Sequence, residues 1–447
     1  MTSSNEVTTG ALTNQNTCTF SSYDVAPDSG TAVGVFGATS FSTEDYGSSH
    51  FSSLHDSLEN RPSAFSDAFQ ARWRQALASM QAYRWCEEPD EESLAQVRTQ
   101  LGLLIKLLSE ESNQDADLYS IAVSSPKLSP LAQYLIYEEI LTKLNNWLKT
   151  EDLTDIPIFF QILQIYQFVL EQITPANCRL VLQQSRFSVS LTELLEIVPE
   201  YLSNVYSGPQ KVYKTMFEEY LVQLLHTIAG VLVYDSHLHR SLLLIEDDSS
   251  SAGSSGLIDT KFSGDKLARG TRWPLFELLV GFLHRPNLVG ERAREAMLIC
   301  LNCTQRFDYL GAWVVDETDF CPLLATGLSG LFSELPRTLF SEKMSIEHFR
   351  VYHEMLESTS ELQLFLRCLR FCDEALSRSH AFIQVEFHVF FFNGFLLPVL
   401  GPALHQSVTS VSICDLECLP QYAVSNFFFR CLFIFSCFKN TFNIKTQ

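Results

Sequence analysis

From about residue 66 onward, apolar positions recur at three- and four-residue steps, the spacing of helices with one buried face. Phe69, Trp73, Leu77 and Met80 share such a face, and a second helix from Ser93 carries Leu94, Val97, Leu101, Leu104, Ile105 and Leu108. Ser129 followed by Pro130 reads as a hydroxyl N-cap with proline at the first helical position, and Leu131, Tyr134, Leu135, Leu141, Leu144 and Leu148 follow it. Pro157 opens the next helix, which stops before Thr174–Pro175. The widest stripe lies in Gln210–Val233, where Val212, Met216, Phe217, Tyr220, Leu221, Leu224, Leu225 and Ile228 fall together. Burial of each would contribute roughly 1.5–3 kcal/mol, which predicts an interior helix. Trp273–Leu283, Glu291–Cys303, Asp319–Phe332, Ser345–Met355 and Glu361–Leu376 read as further helices, and sustained strand-like alternation is nearly absent.

Many helices joined by short Pro, Gly and Asn turns predict an all-α fold, an α-solenoid of armadillo/HEAT-like stacked helices. Such repeats run about 40–47 residues, so residues 66–405 would hold about eight. Residues 1–62 are Ser/Thr-rich, with no Lys or Arg before Arg61 and only isolated aromatics. That composition cannot offset the entropy of ordering, which predicts a disordered segment. Residues 63–407 form the expected helical-array domain, with a flexible loop at 247–270 that opens on DDSSSAGSSG. Residues 408–447 are a Phe- and Cys-rich tail whose cluster of Phe427, Phe428, Phe429, Phe433, Phe435 and Phe438 is too small to be a domain. Solenoids need polar-faced terminal repeats, so an uncapped end with this tail as a liability is expected to aggregate.

Composition narrows the function classes. The chain has 447 residues, is 46% hydrophobic and carries a net charge of −21. The hydrophobic share suffices for a large core. The acidic balance argues against nucleic acid and against adsorption on anionic lipid. MTSSNEVTTG at the start lacks a basic region and an apolar run, so no signal peptide is expected and a cytoplasmic location is. The 12 cysteines sit mostly in apolar helical positions and read as reduced core residues. Phe387–Leu400 is apolar, but it is interrupted by Asn393, Gly394 and Pro398 and falls short of the about 20 residues a membrane span needs. A buried helix pair is expected there, and no transmembrane segment.

Glycine and proline destabilise helix interiors, by roughly 1 and 3 kcal/mol, so Gly327, Gly330, Pro398 and Pro402 are expected at helix ends and turns. Candidate chemistry fails at each test. Cys300 and Cys303 have metal-site spacing but no second pair, and read as core. His237 and His239 have no third ligand in view and read as a solvated helix end. Asp248–Asp259 has the central Gly253 of a calcium loop, but Ala252, Ser255 and Asp259 stand at positions that need other residues. Gly327, Ser329 and Gly330 approach a nucleophile elbow, yet the second glycine would have to stand where Leu331 is. Glu138, Glu139, Glu218 and Glu219 read as solvated faces. No phosphate cradle is present. The expectation is no catalytic residue, no cofactor and no metal.

Three segments then resemble one family. They are residues 268–301 (with GFLHRP at Gly281–Pro286 and GERAREAM at Gly290–Met297), residues 320–336 (FCPLLATGLSGLFSELP) and residues 390–405 (FFFNGFLLPVLGPALH). The chain resembles the FTS and Hook-interacting protein (FHIP) family, also called the retinoic-acid-induced-16-like family. The match is close over about residues 270–405 and looser from about residue 66. It departs at Ser341–Glu357, and beyond Ser407, where relatives continue with more helices, so the chain reads as C-terminally truncated. The resemblance makes Phe320, Cys321, Pro322, Ala325, Gly327, Leu328 and Gly330, with Asn393, Gly394, Phe395 and Pro398, a structural family signature. It implies a non-enzymatic adaptor that joins the FTS protein and Hook coiled-coil proteins. Such an adaptor would link early endosomal cargo to dynein–dynactin, with an early-endosomal Rab GTPase as a further partner. A helical scaffold in membrane tethering, without a motor link, is the alternative.

Overall fold

Side-chain caps fix several helix starts where the sequence places them. The computed structural model describes residues 64–85, 91–119, 128–150, 155–183, 186–245, 262–263, 266–267, 270–335, 359–400 and 402. Helices α1 (Ala64–Arg84) and α2 (Glu91–Tyr119) come first. The Ser129 hydroxyl then accepts from the Ala132 N–H to open α3 (Pro130–Tyr137), while donating to Glu111 of α2 at 2.9 Å. Asp155 caps α5 (Ile156–Glu171) by accepting from the Ile158 N–H at 2.8 Å, and the same carboxylate pairs with Arg98 of α2. One acid thus satisfies a helix end and ties two layers together.

Between these, the run from Leu131 to Leu148 is broken in two. Glu139 adopts a φ of 51°, and α4 (Ile140–Thr150) starts in a new direction after it. The turn is held by Lys143, whose ammonium donates to the Glu138 carbonyl at 2.7 Å, and by Arg186, which pairs with the Glu139 carboxylate at 2.9 Å.

α6 (Cys178–Gln183), α7 (Phe187–Ser207) and α8 (Lys214–Tyr234) follow. α8 is entered through a 3₁₀ turn at Pro209–Tyr213 and left through another at Ser236–Leu242. Among the described residues, strands amount to four two-residue pieces. β1 (Leu244–Ile245) pairs antiparallel with β4 (Thr271–Arg272), and β2 (Phe262–Ser263) with β3 (Lys266–Leu267). The last two lie inside the interval expected as a loop; the remainder of 247–270 falls outside the described residues except Gly270. So do 1–62, Ser345–Met355, the calcium-loop candidate and 408–447. The chain continues with α9 (Pro274–Val280), α10 (Asn287–Arg306), α11 (Asp308–Glu317), α12 (Phe320–Ser333), α13 (Ser360–Arg378) and α14 (Ala381–Phe391).

The helices stack as expected of an α-solenoid. α2 packs on α5, α5 on α8, α8 on α10 and α10 on α13, so each inner member of this row sits between two helices remote in sequence. A second set runs alongside, with α4 against α7 and α7 against α9. The row has five members among the described residues, not about eight. The connecting helices enlarge each layer beyond the assumed repeat length. Aromatic rings fill the seams: Phe159 stacks on Tyr201 at 3.9 Å, and Phe276 meets Trp313 and Phe320 edge-on at 5.9 and 5.4 Å.

The wide stripe that runs through the Pro209–Tyr213 turn into α8 is only partly interior. Phe217, Leu221, Leu224, Leu225 and Ile228 are buried, but Val212 is 90% exposed and Met216 and Tyr220 are also open. The stripe is wider than the neighbouring helices can cover, which corrects the expectation of a fully interior element.

Candidate interaction surface

α12 carries most of the signature and turns it into a packing seam against α13 and α14. Phe320, Cys321, Ala325 and Leu328 are buried. The Cys321 thiol points at the Ile383 carbonyl of α14, at 3.8 Å. Pro322 occupies the first turn, where its missing N–H leaves no acceptor wanting. Gly327 and Gly330 lie inside the helix and not at an end, which corrects the reading from propensity. At Gly327 the cause is close approach: a Cβ there would stand 2.1 Å from Nε2 of His284. At Gly330 a Cβ would meet nothing within 4 Å.

The second signature segment also departs from expectation. Phe392–Leu400 continues α14 as a π-helical stretch, making one helix from Ala381 to Leu400 in place of a pair. The wider π turn carries the helix through Pro398, whose ring would collide with a carbonyl in α-helical turns. Phe395 is buried among Phe332, Phe365 and Phe391, with centroids 5.3–6.1 Å away. Gly394 faces Ala325, and its carbonyl accepts from the Ser329 hydroxyl at 2.7 Å. The same Ser329 O–H is shared with Ala325 O of its own helix at 3.0 Å, so this hydroxyl is a helix-to-helix tie. Asn393, Pro398 and Pro402 face outward.

Counted as one element, Ala381–Leu400 and likewise Lys211–Tyr234 are long and apolar enough to cross a membrane by length and composition. Length therefore does not exclude a span in either helix, and packing has to decide. Lys211–Tyr234 threads the middle of the helix row. Ala381–Leu400 is buried on one side only: Ile383, Phe387, Phe391 and Phe395 face inward, while Phe382, Val385, Val389 and Leu397 are exposed.

The polar residues of the upstream segments hold backbone ends. Arg294 is buried and reaches back from α10 to donate to Leu283 O at 2.7 Å and Arg285 O at 3.5 Å, closing the turn that follows α9. Gly290 makes room for this: a Cβ there would lie 1.8 Å from Arg285 O. Burial lowers the His284 pKa to about 4, assisted by the Arg294 charge, so the ring is neutral where it rests on Gly327. Arg294 was visible in the sequence only as one basic residue of GERAREAM. Its signal is a charge four residues after a glycine, beside apolar Ala293 and Met297.

Two carboxylate and histidine readings are corrected. Glu218 is buried, accepting from Tyr206 Oη at 2.6 Å with Arg285 at 3.2 Å, although Glu219 is exposed. Burial and then this carboxylate raise the Tyr206 pKa to about 12. His237 is exposed, but His239 is buried and donates from Nδ1 to Ser236 O while Nε2 lies 2.5 Å from the Tyr309 hydroxyl. Burial lowers its pKa to about 4. Cys300 and Cys303 are core residues as expected, and burial raises both thiols, Cys303 to about 12. One cleft, of about 340 Å³, opens where α11 meets α12, between Asp316, Glu317, Asp319 and Glu386. No group of three or more metal-ligating side chains occurs among the described residues.

These features define a stacked-helix protein of the α-solenoid class, with polar groups holding helix ends and apolar faces left open. The family model for retinoic acid induced 16-like proteins matches residues 131–419. The chain belongs to this RAI16-like, or FHIP, family. It is 27% identical over 362 residues to FHIP family protein CG3558 of Drosophila melanogaster, covering 79% of this chain and 33% of that protein. It is 27% identical over 360 residues to FHIP family protein GK23746 of Drosophila willistoni, covering 79% and 31%. It is 28% identical over 349 residues to FHIP family protein GL19323 of Drosophila persimilis, covering 78% and 31%. The chain thus spans about a third of the length of the curated relatives it matches. The family match reaches residue 419, twelve residues past the point at which the sequence resemblance fades.

Proposed function

We propose that this chain is a non-enzymatic adaptor of the FTS–Hook–FHIP type, a rigid platform that joins Hook coiled-coil proteins and the FTS protein. In this reading it links early endosomal cargo, through a Rab GTPase, to dynein–dynactin, from a peripheral cytoplasmic position. Family membership motivates the reading. The observation that carries it is the use made of the polar side chains in the matched segments. Arg294 and Ser329 donate to backbone carbonyls and Glu218 is held by Tyr206 and Arg285, while exposed apolar residues lie outside. That is the chemistry of a docking scaffold, because stacked helices present long faces for partners. The acidic charge of −21 favours partner patches rich in Lys and Arg, chiefly through association rate and specificity.

The test is affinity capture from cells expressing the tagged chain, with a full-length family member as control. Recovery of Hook and FTS proteins by both supports the reading; recovery by the control alone rejects it for this chain. A tethering scaffold without a motor link is the second reading, favoured by endosomal localisation that survives Hook depletion.

A further inference from the structure

The outer face of Ala381–Leu400 calls for a cover. Phe382, Val385, Val389 and Leu397 lie along it and are 45–61% exposed, while the opposite face is already buried against the stack. The cleft at the junction of α11 and α12 borders the same helix and contributes Asp316, Glu317 and Asp319 beside Glu386. An occupant of this surface must be apolar and basic at once. Anionic lipid meets the first condition and fails the second, since like charges repel.

One segment of the chain meets both. Residues 420–447 lie beyond the family match and contain Phe427, Phe428, Phe429, Phe433, Phe435 and Phe438. Their charged residues are Arg430, Lys439 and Lys445, with no Asp or Glu, in a chain of net charge −21. They can also reach. Residues 403–419 extend to about 55 Å, whereas a 20-residue helix is about 30 Å long, so the segment can return along the full length of the face.

We propose that residues 420–447 dock intramolecularly on the outer face of Ala381–Leu400. Their aromatic side chains cover Phe382, Val385 and Val389, and their basic residues face the acidic cleft. The segment thereby covers this open apolar face, the reverse of the aggregation liability its composition suggests.

The test uses the full chain carrying Val389→benzoylphenylalanine, or in a second variant Val385→benzoylphenylalanine. Both positions are exposed, so neither label disturbs the core. Isotope-labelled and unlabelled copies are mixed, phosphatidylcholine–phosphatidylserine vesicles are added, and cross-linked peptides are mapped by mass spectrometry after irradiation. The expected products join the label to residues 420–447 within one copy. Their yield should fall at least fivefold with Arg430→Glu and Lys439→Glu combined, and recover when Glu317→Lys and Glu386→Lys are added. Cross-links between labelled and unlabelled copies, cross-links to lipid alone, or a yield indifferent to charge reversal would overturn the proposal.

Discussion

Lys211–Tyr234 and Ala381–Leu400 are alike in length and apolar composition, yet the first is 56% buried over its most apolar window and the second 22%. The difference lies in their neighbours. α8 packs between α5 and α10, whereas Ala381–Leu400 packs on one side only, against α11, α12 and α13, the last reaching Phe395 through Phe365. Composition therefore measures how much apolar surface a helix offers, and the position in the stack decides how much is used. The same contrast appears within each helix, since Met216 and Tyr220 stand open on α8, as does Val212 in the turn that enters it, while Phe395 is enclosed at the end of the other.

The largest expected effects come from cutting the enclosed contacts of both helices. Phe395→Ala should lower stability by about 3–5 kcal/mol and Leu224→Ala by about 2–5 kcal/mol, because each leaves a cavity in a seam. Val233→Ala, at an exposed position of α8, should change stability by less than about 0.5 kcal/mol. Urea unfolding midpoints check all three. A small loss for Phe395→Ala would mean that the seam beneath Ala381–Leu400 is not packed as described.

Removal of the Arg294 guanidinium comes next. Arg294→Met keeps much of the side-chain volume but leaves the carbonyls of Leu283 and Arg285 without this donor, so a loss of about 1.5–3 kcal/mol is expected. Thermal unfolding of the two chains in the same buffer gives the value.

Acid should weaken the region around α8 and α10 through its neutral histidines. His239 and His284 have folded pKa values of about 4, below the ordinary 6.5. A depressed histidine pKa means that the unfolded chain binds the proton more readily. The stability from neutral burial is complete above about pH 6.5 and declines as pH falls toward 4. Buried His239 alone should account for a loss of about 2 kcal/mol between pH 7.5 and pH 5. Denaturant titrations at the two pH values should show a smaller difference in His239→Gln than in the parent.

The two signature glycines should differ in sign. Gly327→Ala meets the His284 ring and should destabilise by about 1–3 kcal/mol. Gly330→Ala meets open space in a helix and should stabilise by up to about 1 kcal/mol. Opposite shifts in melting temperature would separate close approach from mere helix propensity as the reason for a glycine.

Local signals were legible in the sequence. The Ser129–Pro130 start, the stop before Thr174–Pro175 and the buried Cys300–Cys303 pair depend on residues near one another, and the periodicity alone gives the all-α class. What stayed hidden depends on remote partners. The break at Glu139 is stabilised by Arg186, the burial of Glu218 by Tyr206 and Arg285, and that of His239 by Tyr309. Gly327 looks like a helix stop until His284 is seen against it, and Pro398 looks like one until the π turn is seen to accommodate it. The signature residues were recognisable as a set, but their division into seam residues and outward residues such as Asn393 appears only in three dimensions.

The central claim is that both span-length helices are packing elements of a docking platform. Alkaline carbonate extraction of membranes from cells expressing the full chain tests it most directly. The account predicts that the chain is released into the supernatant with peripheral proteins. Retention in the pellet with integral membrane markers would contradict it.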